Sequence, residues 1–120
     1  MVKKILIADD EPGHLATVGA LLRERGYTVI TAADGTEAVQ KAIGELPDLI
    51  ILDIMMPRMD GTEVAMVLKN DLRTQRIPVF FLTAVISPGD QNMVKGNPNL
   101  IFAKPVRLHE LLEAIKKISV

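Results

Sequence analysis

Five short runs of aliphatic and β-branched residues punctuate the chain: Ile5 to Ala8, Thr28 to Thr31, Leu49 to Leu52, Val79 to Leu82 and Leu100 to Ala103. Each has the length and composition of a strand. The first, third and fourth are continuously apolar, as strands covered on both faces must be, whereas Thr28 and Thr31 mark the second as a less buried edge. Between the runs, apolar residues return at helical spacing. They are Leu15, Val18 and Leu22, then Val39, Ala42, Ile43 and Leu46, then Val64, Val67, Leu68 and Leu72, and finally Leu108, Leu111, Leu112 and Ile115. All four stripes are assigned to the core, because a helix lying on a sheet must bury one face. Strand alternating with helix predicts a (βα)5 doubly wound α/β domain, a parallel five-stranded sheet joined by right-handed crossovers.

Residues 1–120 read as a single domain, with no linker and no second core. One helix departs from the pattern. Ser87-Pro88-Gly89 and Gly96-Asn97-Pro98 bracket a single candidate turn, Asp90 to Lys95, so the fourth helix is expected to be short or irregular.

The tetrapeptide Asp-Gly-Thr-Glu occurs at Asp34 to Glu37 and again at Asp60 to Glu63, each time just ahead of a helical stripe. Both copies fit a capping box, in which the Asp carboxylate accepts from an early helical N–H and the Glu reaches back.

Fourteen Lys and Arg against fifteen Asp and Glu leave a net charge of -1, without the basic footprint of a direct nucleic-acid binder. The absence of cysteine excludes a disulfide framework, a thiolate metal site and a cysteine nucleophile. The N-terminal apolar run is too short for a signal core or a membrane span, which together with the lack of cysteine predicts a cytoplasmic protein.

In open α/β sheets the ligand site lies beyond the carboxyl ends of the strands. There the sequence places Asp9-Asp10-Glu11, then Asp53, Thr83 and Lys104-Pro105, each after a different strand. Grouped carboxylates repel unless a cation offsets their charge. Oxygen ligands without clustered histidine or any cysteine suit Mg²⁺, with Mn²⁺ able to substitute. A cation beside Asp53, with Lys104 and Thr83 across the site, suits phosphoryl transfer, whose transition state spreads charge over several oxygens. Asp53, at the end of the central strand, is the best-placed carboxylate to accept the group as an aspartyl phosphate.

The segments Ile-Leu-Ile-Ala-Asp-Asp-Glu-Pro at 5–12, Leu-Ile-Ile-Leu-Asp-Ile-Met-Met-Pro-Arg-Met-Asp-Gly at 49–61, Pro-Val-Phe-Phe-Leu-Thr-Ala at 78–84 and Phe-Ala-Lys-Pro at 102–105 together resemble the receiver domain of two-component response regulators. The resemblance covers essentially the whole chain and implies a flavodoxin-like strand order of 2-1-3-4-5. It also implies a regulatory phosphoacceptor, not a metabolic enzyme, which catalyses its own Mg²⁺-dependent phosphorylation and dephosphorylation. Asp53 would take its phosphoryl group from a sensor histidine kinase or a histidine phosphotransfer protein. Asp10, Asp53 and the Met55 carbonyl would ligate Mg²⁺ directly, and Asp9 through water.

By the same likeness, Lys104 would pair with the phosphoryl oxygens, while the Thr83 hydroxyl and the Ala84 N–H would bond to them after transfer. Phe102 would turn inward in the switch, presenting a changed face to a downstream effector, and Lys104-Pro105 would be a cis bond. The stretch Gly96 to Phe102 departs from the family's usual pattern, so its mode of dimerisation does not carry over. Met55 and Val85 are apolar where they would flank hydrolytic water, which predicts a long-lived phosphorylated state. His14 and His109 are expected to be solvated surface residues. Two rival readings are a constitutive interaction module on a receiver fold and a Mg²⁺-dependent aspartyl-phosphate phosphatase; the absence of a cap domain speaks against the latter.

Overall fold

A computed structural model describes residues 1–84 and 100–119. The order is β1 (Lys4–Ala8), α1 (Pro12–Glu24), β2 (Thr28–Ala32), α2 (Gly35–Glu45), β3 (Leu49–Asp53), α3 (Gly61–Lys69), β4 (Val79–Thr83), β5 (Leu100–Ala103) and a last described helix, α4 (Leu108–Ile118). The turn expected at Asp90 to Lys95 lies outside the described residues, as does Val85.

The strands form one parallel sheet in the order β2-β1-β3-β4-β5. Successive side chains on a strand point to opposite faces, and the core divides accordingly. Ile5, Ile7, Leu49, Ile51, Phe80 and Leu82 bury one face against Val18 and Leu22 of α1 and Leu111 and Ile115 of α4. Leu6, Ile50, Leu52 and Val79 bury the other against Ala38 and Ala42 of α2 and Val64 and Leu68 of α3. β3 is buried at every position, whereas β2 runs along an edge with Thr28 exposed.

Three members of the predicted stripes are corrected. Leu46 is 52% exposed because it falls at the α2 C-cap in the left-handed region, φ 48, where the chain turns away toward Pro47. Val67 is 40% and Leu72 84% exposed. α3 stops at Lys69, before Leu72 is reached, with the Asn70 side chain donating to the Met66 carbonyl and the buried Thr74 hydroxyl donating to the Leu68 carbonyl.

The two Asp-Gly-Thr-Glu copies start α2 and α3. Asp60 accepts from the Glu63 N–H and Glu63 accepts from the Asp60 N–H, a complete capping box. In the first copy Asp34 accepts from the Glu37 N–H, but Glu37 reaches one residue further back, to the Ala33 N–H. Both glycines sit where a Cβ has no room. One at Gly35 would stand 2.1 Å from the Met59 carbonyl oxygen, and one at Gly61 would stand 2.4 Å from that of Asp53.

Candidate functional site

The site is assembled where the parallel strands end together. Asp9 follows β1, and its N–H continues the ladder to the Ala32 carbonyl at 3.1 Å. Asp53 closes β3, with the next N–H, that of Ile54, donated to Leu82 on β4 at 2.8 Å. Beside it, the Lys104 N–H donates to the Thr83 carbonyl at 2.8 Å, which fixes the start of the segment after β5. The Lys104-Pro105 bond is cis. Asp9 and Asp53 are each 1% exposed, acidic groups buried at the strand ends.

Lys104 ties the pocket together. Its Nζ lies 3.1 Å from Asp9 Oδ1 and 3.1 Å from Asp53 Oδ2, and it also donates to Glu11 Oε1. Burial works against this ammonium, but the bonds to Glu11, Asp9 and Asp53 more than reverse the effect and raise its pKa above the ordinary lysine value. One positive charge nevertheless faces several carboxylates. Burial pushes Asp53 up to about 6, and the nearby Asp9 charge adds to the rise while Lys104 and the Met55 N–H oppose it. Asp9 is buried too, yet the Glu11 N–H, His14 and Lys104 hold its carboxyl below the usual range.

Asp10 is exposed at the rim. Asp9, Asp10 and Asp53 each offer a carboxylate oxygen within 4.8 Å of the others, a hard, all-oxygen donor set carrying more negative charge than Lys104 neutralises. Those residues fit a Mg²⁺ ion. Met55, whose carbonyl is a further candidate, is 69% exposed on the connection after β3.

Thr83 is 7% exposed, one register position past Leu82, the β4 partner of Asp53. Ala84 follows it at an exposed position. Phe102 is half-buried, its ring centroid 5.4 Å from that of Phe80 with the planes tilted by 47°, and it packs against the α1/α4 side of the core.

Glu11, placed with Asp9 and Asp10 beyond the first strand by the sequence, is an ion-pair partner of Lys104. One participant is new. His14 is not a solvated surface residue. Its side chain is 12% exposed, with Nδ1 2.6 Å from Asp9 Oδ2, because side chains in a first helical turn tilt back toward the N-terminus and hence toward β1. His109 is exposed on α4, as expected.

Residues 5–116 match the family model described as the response regulator receiver domain. The chain is 48% identical over 86 residues to the alkaline phosphatase synthesis transcriptional regulatory protein PhoP of Bacillus subtilis, covering 70% of this chain and 34% of PhoP. It therefore spans about a third of that relative's length. It is 32% identical over 117 residues to the polar-differentiation response regulator DivK of Brucella ovis, covering 97% of this chain and 95% of DivK. The chemotaxis protein CheY4 of Vibrio cholerae superposes with a TM-score of 0.85 at 31% identity, over 98% of each chain. Among the described residues no helix is long and apolar enough to cross a membrane.

Proposed function

The chain belongs to the response regulator receiver family, and we propose that it is a phosphorylation-controlled switch that accepts a phosphoryl group on Asp53 from a histidine kinase or histidine phosphotransfer protein in the cytoplasm. The observation that carries this reading is the position of the Asp53 carboxylate, buried at the end of the central strand, bonded to Lys104 and gathered with Asp9 and Asp10.

An Asp53 oxygen forms the new P–O bond as the P–N bond of the donor's phosphohistidine breaks, and the departing imidazole takes the electron pair and a proton. Asp53 titrates at about 6, so it is predominantly the nucleophilic carboxylate at neutral pH. Asp10, Asp53 and the Met55 carbonyl would hold Mg²⁺, with Asp9 reaching it through water, and the bound ion would supply positive charge for the transferring oxygens. Lys104 supplies a second fixed charge with no need to reorganise, since its ammonium is already anchored beside Asp53. The Thr83 hydroxyl and the Ala84 N–H take the remaining phosphoryl oxygens. Phe102, packed on Phe80 at the edge of the core, moves inward behind Thr83 and alters the face offered to an effector protein.

Intact-mass measurement after incubation with acetyl phosphate tests the reading. One added phosphoryl group that requires both Mg²⁺ and Asp53, and is absent from Asp53→Asn, is expected; a folded wild type without any adduct would make the chain a constitutive interaction module instead.

A further inference from the structure

His14 has no part in the phosphoryl-transfer scheme above, yet its side chain is only 12% exposed and has two polar partners. Its Nδ1 lies 2.6 Å from Asp9 Oδ2, and its Nε2 accepts from the Val106 N–H at 3.4 Å. One neutral tautomer, with the hydrogen on Nδ1, satisfies both contacts. The other Asp9 oxygen, Oδ1, accepts from the Glu11 N–H at 2.9 Å and from Lys104 at 3.1 Å. Every rotation of the Asp9 carboxylate therefore breaks a bond at one oxygen or the other.

The ring also joins parts of the chain that are far apart in sequence. Asp9 ends β1, His14 lies in the first turn of α1, and Val106 follows the Lys104-Pro105 pair on the way into α4. Lys104 and Val106 approach the acidic pocket from the same connection, one through its side chain and the other through its main chain.

Resting on the reading of the acidic cluster as a Mg²⁺ site, we infer that His14 is a positioning residue for that metal: its Nδ1–H aims the Asp9 carboxylate, and its Nε2 fastens the same ring to the connection that carries Lys104. A hydrogen-bonded partner behind a carboxylate that holds an ion, here through water, works by fixing the carboxylate's orientation before the ion arrives, and losing the partner of a directly bound ligand lowers metal affinity by roughly 10- to 100-fold.

The experiment compares wild type, His14→Leu and His14→Asn by titration with Mg²⁺ alone, followed calorimetrically and through the backbone amide signals of Asp10 and Met55. Leu and Asn have nearly the same shape, so the pair isolates the donor, and the Asn amide nitrogen stands close to the place of Nδ1. His14→Leu is expected to bind Mg²⁺ about 10-fold more weakly, the low end of that range, and His14→Asn is expected to regain most of that loss. Thermal unfolding checks that each variant is folded, and His14→Ala replaces the Leu variant if that one is not. Two folded variants that bind within twofold of wild type, or an Asn variant as weak as Leu, would overturn the role of His14. A wild type that binds no Mg²⁺ would instead overturn the metal reading itself, and this proposal with it.

Discussion

Gly61 opens α3 directly against the main chain of Asp53, its N–H bonded to the Ile54 carbonyl at 3.0 Å and its missing Cβ leaving just enough room for the Asp53 carbonyl oxygen. The helix that follows β3 is thus seated on the backbone of the proposed acceptor itself.

Gly61→Ala forces that contact apart, since the added carbon would lie 2.4 Å from backbone oxygen that no side-chain rotation can clear. Denaturant unfolding is expected to show a loss of about 1–3 kcal/mol, accompanied by slower modification by acetyl phosphate as Asp53 shifts. A variant with wild-type stability and rate would mean that α3 can slide without disturbing the site.

Asp53 carries a pH signature. Its folded pKa, about 6, lies above the unfolded value near 3.9. The native state therefore binds the extra proton between those values, so the group costs nothing below about pH 4 and its full penalty, about 2–3 kcal/mol, is present above about pH 6. Without divalent metal, Asp53→Asn is expected to be more stable than wild type at pH 7.5, with the gap closing toward pH 4. Chemical unfolding curves at several pH values would show it, and a constant difference would refute the burial effect.

Removal of the Lys104 charge leaves Asp9 and Asp53 buried without their shared partner. Lys104→Met is expected to lose about 3 kcal/mol in metal-free buffer, since breaking a buried pair strands the surviving charges. Mg²⁺ should restore much of this and should bind the variant more tightly than wild type, because the ammonium no longer competes. Calorimetric titration that found weaker binding would indicate that Lys104 organises the carboxylates for the ion.

Met55 is exposed beside the Asp53 carboxylate and cannot orient water. Met55→Asn supplies a group that can, and is expected to speed loss of the phosphoryl group several-fold, well short of the roughly 100-fold or more of general acid–base catalysis, since an amide orients water without taking its proton. Time courses of intact mass after removal of the donor measure it directly.

The strands were legible to within a residue because fully covered strands leave unbroken apolar runs, as Leu49 to Leu52 shows, and β2 announced its edge through Thr28 and Thr31. Strand order was not written in those runs; it came with the family likeness. Helical spacing alone overextended the core to Leu46 and Leu72, since periodicity does not register where a cap stops the helix. The carboxylates and Lys104 could be placed because each ends or follows a strand. His14 escaped for the opposite reason: it lies inside a helix, and only the tilt of its side chain across the β1 end brings it to Asp9.

The two helix-opening glycines also determine how the pocket can respond to load. Gly61 wedges against Asp53, Gly35 wedges against Met59, and Arg58, in the left-handed region at φ 69, is tied to Asp34 at 3.1 Å. The connection from Asp53 to α3 is thereby held from both neighbouring helices. On the proposed function, a phosphoryl group attached to Asp53 would meet that wall, and the strain would be directed to the opposite side, where Thr83 ends β4 and Phe102 lies one residue before the end of β5. The pocket would then work as a vice with a single moving jaw, the direction of the signal set before any phosphate arrives.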